Sequence, residues 1–150
     1  MNDLPDITIL TPVFERNEFL NIYLSNIAAQ DYPKEKIKVL IHECKSNNPF
    51  IQDIDIIRRN IAPIELTYCI DNSGRKTIGQ KRNWLVKHCE TDYFMFFDSD
   101  DVYLPTALNH SVQGLINSKL LYVLLLLSLQ NINSNLKTHL KVNVKIYLIM

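Results

Sequence analysis

Tyr93-Phe94-Met95-Phe96-Phe97 is an unbroken apolar run that stops abruptly at Asp98-Ser99-Asp100-Asp101. A strand without a polar face must be covered on both sides, which places it inside a parallel sheet sandwiched between helices. Up to about residue 115, short apolar runs alternate with amphipathic stretches, the pattern of such a fold. Strands are expected at Ile7–Leu10, at Ile37–Ile41 running into His42-Glu43-Cys44, at Ile64–Ile70 and at Tyr93–Phe97. Pro12 is expected to stop the first of these, because proline cannot donate to a central ladder. A helix is expected over Asn17–Ala29, where Leu20, Ile22, Tyr23, Leu24, Ile27 and Ala28 recur mostly at three- and four-residue spacing. Others are expected over Ile51–Asn60 and Thr77–His88, and from Pro105, a residue suited to a first turn, through the stripe Ala107, Leu108, Val112, Leu115 and Ile116.

The chain has 150 residues, of which 47% are hydrophobic, enough for one domain that buries roughly two-thirds of its unfolded surface. Its 16 basic and 16 acidic residues cancel, so no global field draws it onto nucleic acid or an anionic membrane, and any charged ligand must be met by a local site. Cys44, Cys69 and Cys89 are odd in number and lack a CxxC pair, which argues for buried thiols in a reducing compartment. His42, His88, His110 and His139 show no metal-ligand spacing. The N-terminus has neither a basic region nor an apolar core of the secretory kind, and the apolar run Leu120–Leu127 is far shorter than a spanning helix needs. A cytoplasmic protein with no transmembrane segment is expected.

The acids at the end of the last strand carry the chemistry. Asp98 and Asp100 are two residues apart, and a strand's period of two aims both side chains to one side. Like charges so close favour a cation between them, and hard oxygen ligands suit Mg²⁺ or Mn²⁺. The first strand ends in Thr11-Pro12-Val13-Phe14-Glu15, where an open α/β sheet places its ligand crevice. There Glu15 is positioned to accept hydrogen bonds from a ribose or base, and Glu43 occupies the corresponding end of the second strand. Arg75, Lys76, Lys81 and Arg82 cluster around the start of the third helix, where backbone N–H groups, helix dipole and fixed cations all favour phosphate. The lack of a Gly-rich Lys-Ser/Thr loop argues against a P-loop NTPase, and a nucleotidyltransferase is disfavoured because Thr11–Asn17 holds no glycine.

Taken in order, Thr11-Pro12-Val13-Phe14-Glu15, then Gly79 with Lys81-Arg82-Asn83, then Asp98-Ser99-Asp100-Asp101 with Pro105 and Leu108, resemble the N-terminal half of family 2 glycosyltransferases, over residues 6–118. The resemblance implies a GT-A, Rossmann-like three-layer α/β sandwich with a mainly parallel sheet, truncated after the DxD region. It implies a nucleotide-sugar donor, a UDP-sugar, with Thr11, Pro12, Val13 and Glu15 near the uridine and Glu43 near the base. Arg82 would lie near the diphosphate, Asp98 near ribose and metal, and Asp100 on a divalent Mn²⁺ or Mg²⁺.

In that family a carboxylate general base deprotonates the acceptor, a glycan, protein or lipid, in a single inverting displacement. No candidate for this base is found. The division expected is a binding domain over 1–118 and an atypical tail over 119–150. The tail is apolar over Leu120–Leu129, then Asn-rich, then apolar again, and contains no Asp or Glu. The second strand also ends in Glu43-Cys44-Lys45-Ser46 where the family has Asp-Asp-Gly-Ser. The competing expectation is a truncated, non-catalytic remnant that binds nucleotide weakly or not at all; a partner chain that supplied the base would restore transfer.

Overall fold

The computed structural model describes residues 4–117, together with the backbone of Ile146–Leu148. The elements run β1 (Ile7–Val13), α1 (Leu20–Ala28), β2 (Ile37–Cys44), α2 (Ile54–Ile61), β3 (Glu65–Asp71), α3 (Ile78–His88), β4 (Tyr93–Phe96), α4 (Ala107–Asn117) and β5 (Ile146–Leu148). The sheet order is β3-β2-β1-β4-β5, with every pairing parallel. The chain moves from β1 to one side through β2 and β3, then returns to the other side of β1 at β4. An open α/β sheet opens its ligand crevice at such a reversal, outside the carboxyl ends of the strands.

The pleat sorts the core into two layers. Ile7, Ile9, Val39, Ile41, Met95 and Phe97 pack with Tyr23 and Ile27 of α1, Ile61 of α2 and Leu108 and Val112 of α4. Leu10, Leu40 and Phe94 pack with Leu85 and Cys89 beneath α3. Helices therefore cover both faces, and the three-layer α/β sandwich expected from the sequence is the fold observed. The three cysteines are free thiols. No helix among the described residues is long and apolar enough to cross a membrane.

Several boundaries differ from expectation, each for a local reason. The Asn17–Phe19 turn is 3-10, and α1 proper begins at Leu20. Helix α2 starts three residues later than expected, because the Asp53 carboxylate caps the N–H groups of Asp55 and Ile56. In α3, Thr77 and Gln80 form a reciprocal capping box, leaving Thr77 just outside the helix. Pro105 lies before α4: the Leu104 carbonyl accepts from Ala107 N–H, and the Pro105 carbonyl accepts from Asp31 N–H at 2.7 Å.

The largest difference is at Pro12, which does not stop β1. The strand continues to Val13, with Pro12 opposite His42 of β2. Along a parallel strand the backbone groups of successive residues face alternate neighbours. Leu10 faces β4, since its carbonyl accepts from Phe97 N–H at 3.1 Å, so position 12 faces β4 as well. Pairing between β1 and β4 has ended by then, at Leu10 and Phe96. The donor that proline lacks would have faced the Phe97 carbonyl, which accepts from the Thr11 hydroxyl instead, so no ladder acceptor is left unpaired. The expected tail at 119–150 lies outside the described residues apart from β5.

Candidate functional site

At the carboxyl ends of β1 and β4 lies a cavity of about 490 Å³. Pro12, Val13 and Phe14 form its floor, Arg16, Arg75, Lys76 and Lys81 bring cations, and Asp98, Ser99 and Asp100 bring the acids. Of the residues singled out in the sequence, Pro12, Val13, Asp98 and Asp100 face this space. Thr11, Glu15, Glu43 and Arg82 stand behind or beside it and act on its walls.

Asp98 and Asp100 reach the cavity through a turn and not through a strand's alternation. Strand β4 ends at Phe96, and the Asp98 carbonyl accepts from Asp101 N–H at 3.3 Å. The expectation of a continuous pleat is thus corrected, although both acids still line the same cavity. The peptide leading into Asp98 is pinned at both of its polar groups. The Phe97 carbonyl, which an N–H at position 12 would have approached, accepts instead from the Thr11 hydroxyl at 2.9 Å. Thr11 has one hydroxyl proton to give, so it accepts from the Tyr23 hydroxyl, 2.6 Å away. Burial drives the Tyr23 pKa far above its ordinary value, which keeps that proton in place. On the other side, Asp98 N–H donates to the Tyr103 hydroxyl at 2.8 Å, and the Tyr103 ring stacks on Phe97 with centroids 3.8 Å apart. Tyr103 itself is pushed up to about 12, chiefly by burial. Thr11 is wholly buried, so its contribution to the site is this support.

Glu43 is also turned inward, at 1% exposure. One carboxylate oxygen accepts from Glu15 N–H at 3.1 Å; the other accepts from Phe50 N–H at 2.9 Å and from the Tyr68 hydroxyl. Burial first, and then the Glu43 contact, raise the Tyr68 pKa well above normal, so its hydroxyl remains a donor. One buried acid therefore ties together the loops after β1 and β2 and the edge strand β3. Glu15 adopts a left-handed backbone with φ 52° in the loop so held, and its own side chain is exposed at the rim. That conformation costs an L-residue about 1–2 kcal/mol, which the Glu43 bond helps offset.

Lys81 is a cation that folding buries. It is 5% exposed, and its ammonium donates to the Val13 carbonyl at 2.6 Å and lies 5.2 Å from the Phe14 ring centre. Burial lowers its pKa, while Cys44 and Glu43 oppose that shift and Arg75 adds to it. Arg75 stands over the same ring at 4.9 Å. Arg82 points to the acids: its Nη2 lies 3.0 Å from Oδ2 of Asp98. Among the described residues no group of three or more His, Cys, Asp or Glu side chains could hold a metal.

Two residues that the sequence did not single out hold the acidic loop. Asn26 of α1 donates from Nδ2 to the Asp101 carbonyl at 2.8 Å and accepts from Tyr103 N–H at 3.2 Å. One helical turn on, Gln30 donates from Nε2 to the Leu104 carbonyl at 3.0 Å and accepts from Leu108 N–H at 3.1 Å. Both are buried. Their polarity on a face otherwise apolar was the available signal.

Residues 8–141 match the family described as Glycosyl transferase family 2, a match that continues past residue 118. The chain is 26% identical over 94 residues to the poly(ribitol-phosphate) beta-N-acetylglucosaminyltransferase TarS of Staphylococcus aureus, covering 63% of this chain and 16% of that protein. It is 29% identical over 105 residues to a poly(ribitol-phosphate) beta-glucosyltransferase of Bacillus spizizenii, covering 68% and 16%. The chain thus spans about a sixth of the length of these curated relatives. In structure it is similar to S. aureus TarS 1–349 in complex with UDP-GlcNAc, with a TM-score of 0.63, 21% identity, and 74% of this chain and 31% of that one covered. A second similar structure is the mannosyltransferase PcManGT of Pyrobaculum calidifontis in complex with GDP-Man and Mn²⁺, with a TM-score of 0.64, 21% identity, and coverage of 77% and 34%. With its parallel sheet, covering helices and acid-bearing crevice, the chain belongs to glycosyl transferase family 2 and has the GT-A fold.

Proposed function

We propose that this chain is the nucleotide-sugar-binding part of an inverting glycosyltransferase that takes its sugar from a UDP-sugar with the help of Mn²⁺ or Mg²⁺. The observation that carries the reading is one cavity whose lining includes Arg75, Lys76 and Lys81 as well as the carboxylates of Asp98 and Asp100. A nucleoside diphosphate bridging a metal needs both: cations for phosphate oxygens and hard anionic ligands for the ion. Structures of relatives bound to UDP-GlcNAc, and to GDP-Man with Mn²⁺, support the ligand class.

Each of the chain's residues then has a task. Pro12 and Val13 face the nucleoside, and Glu15 offers a carboxylate at the rim. Glu43 and Thr11 fix the walls from behind. Arg75, Lys76 and Lys81 bind the diphosphate, and the desolvated position of Lys81 makes its charge act with little screening. Arg82 acts on the same charge system through Asp98. Asp98 and Asp100 are the metal ligands. A pair of carboxylates fits these ions, which commonly take one or two from protein and complete their shell with substrate phosphate oxygens and water. The metal, when bound, neutralises the charge that develops on the departing diphosphate. The base that deprotonates the acceptor belongs to an acceptor-binding part outside residues 4–117, and residues 119–150 have no carboxylate to serve.

The competing reading is a non-catalytic remnant that binds nucleotide weakly or not at all. Calorimetric titration of UDP with and without Mn²⁺, beside Asp100→Ala, tests the first reading. Metal-dependent binding that weakens at least about tenfold in the variant is expected. A folded chain that ignores UDP and other nucleoside diphosphates would leave the non-binding remnant as the better account.

A further inference from the structure

Arg82 stands where a divalent ion would address Asp98. Its Nη2 lies 3.2 Å from Oδ1 and 3.0 Å from Oδ2 of the same carboxylate. A single nitrogen near both oxygens sits in the mouth of the carboxylate, the position from which one cation reaches both. The guanidinium carbon is 5.2 Å from the ring centre of Phe96, an aromatic shelf that suits a cation. The hold is nonetheless incomplete. Arg82 Nε is buried without a hydrogen-bond partner, a cost that a different placement of the guanidinium would relieve. The ion pair is also half open to solvent, with 41% and 34% of the two side chains exposed, so it is weak enough to be displaced.

We infer that Arg82 is a resident cation that competes with the metal for Asp98, and so makes metal binding depend on the nucleotide. The inference rests on the proposed nucleotide and metal site. While Arg82 neutralises Asp98, an incoming ion finds only Asp100 as a free anionic ligand and is repelled by the guanidinium. A bound diphosphate changes both terms. Its oxygens supply the missing ligands, and its charge compensates the metal and the arginine together. The order of events is then nucleotide first or nucleotide and metal as a pair, and the metal alone scarcely binds.

The test is Mn²⁺ binding to the whole chain, read from the electron paramagnetic resonance signal of free Mn²⁺, with and without UDP. It compares the native chain with Arg82→Met and with Arg82→Gln, which keeps donors but removes the charge. Without UDP, both variants are expected to bind Mn²⁺ about fivefold more tightly than the native chain, the factor set by a partly exposed ion pair. With UDP present the native chain gains more affinity for Mn²⁺ than either variant does. If the folded variants bind Mn²⁺ alone no better than the native chain, while the native chain takes up UDP and Mn²⁺ together, the competition is refuted and the site stands. If the native chain takes up neither under any condition, the site reading fails and the inference with it.

Discussion

Glu43 illustrates how one side chain can brace the loops beside a cavity that it does not line. It sits at 1% exposure and gathers three donors, from Glu15, Phe50 and Tyr68, onto two oxygens. Removing the acid leaves those donors buried without an acceptor, the expensive half of hydrogen-bond energetics. Glu43→Ala is therefore expected to cost about 3 kcal/mol in urea unfolding, and Glu43→Gln about half of that, since the amide keeps one acceptor but turns an N–H₂ toward other donors. A loss below about 1 kcal/mol for the alanine variant would mean that the loops hold without it. From sequence, the acid at the end of β2 reads as a ligand to a base, because chain position places it at the crevice but says nothing about which way the side chain turns. Strand parity decides: Glu43 lies opposite Val13 on the α1 side of the sheet, where Phe50 is buried.

At the scale of elements, the order and type of β1 to α4 were legible because hydrophobic period distinguishes a strand buried on both faces from an amphipathic helix. What remained hidden was polar. Asn26 and Gln30 fall on the buried side of α1 and its end, where periodicity counts only apolar positions; their value lies in contacts with residues more than seventy positions away. They clamp the segment from Asp98 to Leu108 onto α1 through the carbonyls of Asp101 and Leu104 and the N–H groups of Tyr103 and Leu108. Asn26→Ala and Gln30→Ala should each cost about 2 kcal/mol and speed amide hydrogen exchange at Tyr103 and Leu108. Exchange within β1 and β2 should scarcely change beyond what global stability requires. Unaltered protection at Tyr103 and Leu108 would show the loop to be fixed by Tyr103 stacking alone. That Asp98 and Asp100 reach one cavity was legible, but not how they do so, since the sequence does not reveal that β4 stops two residues before the first acid.

For the whole molecule, net charge is zero, so its pH response comes from particular buried groups and not from general repulsion. His42 is the one to follow near neutrality. It is 1% exposed, its Nδ1 has no hydrogen-bond partner, and its ring packs on Trp84 at 4.5 Å. Burial lowers its pKa from 6.5; Asp71 on β3 opposes the shift, and Lys81 and His88 on α3 reinforce it. A base with a depressed folded pKa binds fewer protons folded than unfolded. Its neutral form therefore contributes no penalty above about pH 6.5, and stability falls as pH drops from there toward the depressed value. Thermal unfolding between pH 7.5 and 5 should show that decline, and His42→Leu should flatten it. An equal slope in the variant would assign the acid sensitivity to other groups.

Pro12 gives the crevice a property that side-chain packing does not. Beyond Leu10 the backbone of β1 has no donor to offer β4, and the Phe97 carbonyl is already satisfied by Thr11. The two strands therefore cannot zip farther together and seal the space between Pro12 and Asp98. The opening is thus set at the main chain, by a bond that Pro12 is unable to make and that the Thr11 hydroxyl replaces. The device that holds the cleft apart is therefore confined to two adjacent residues at the end of one strand.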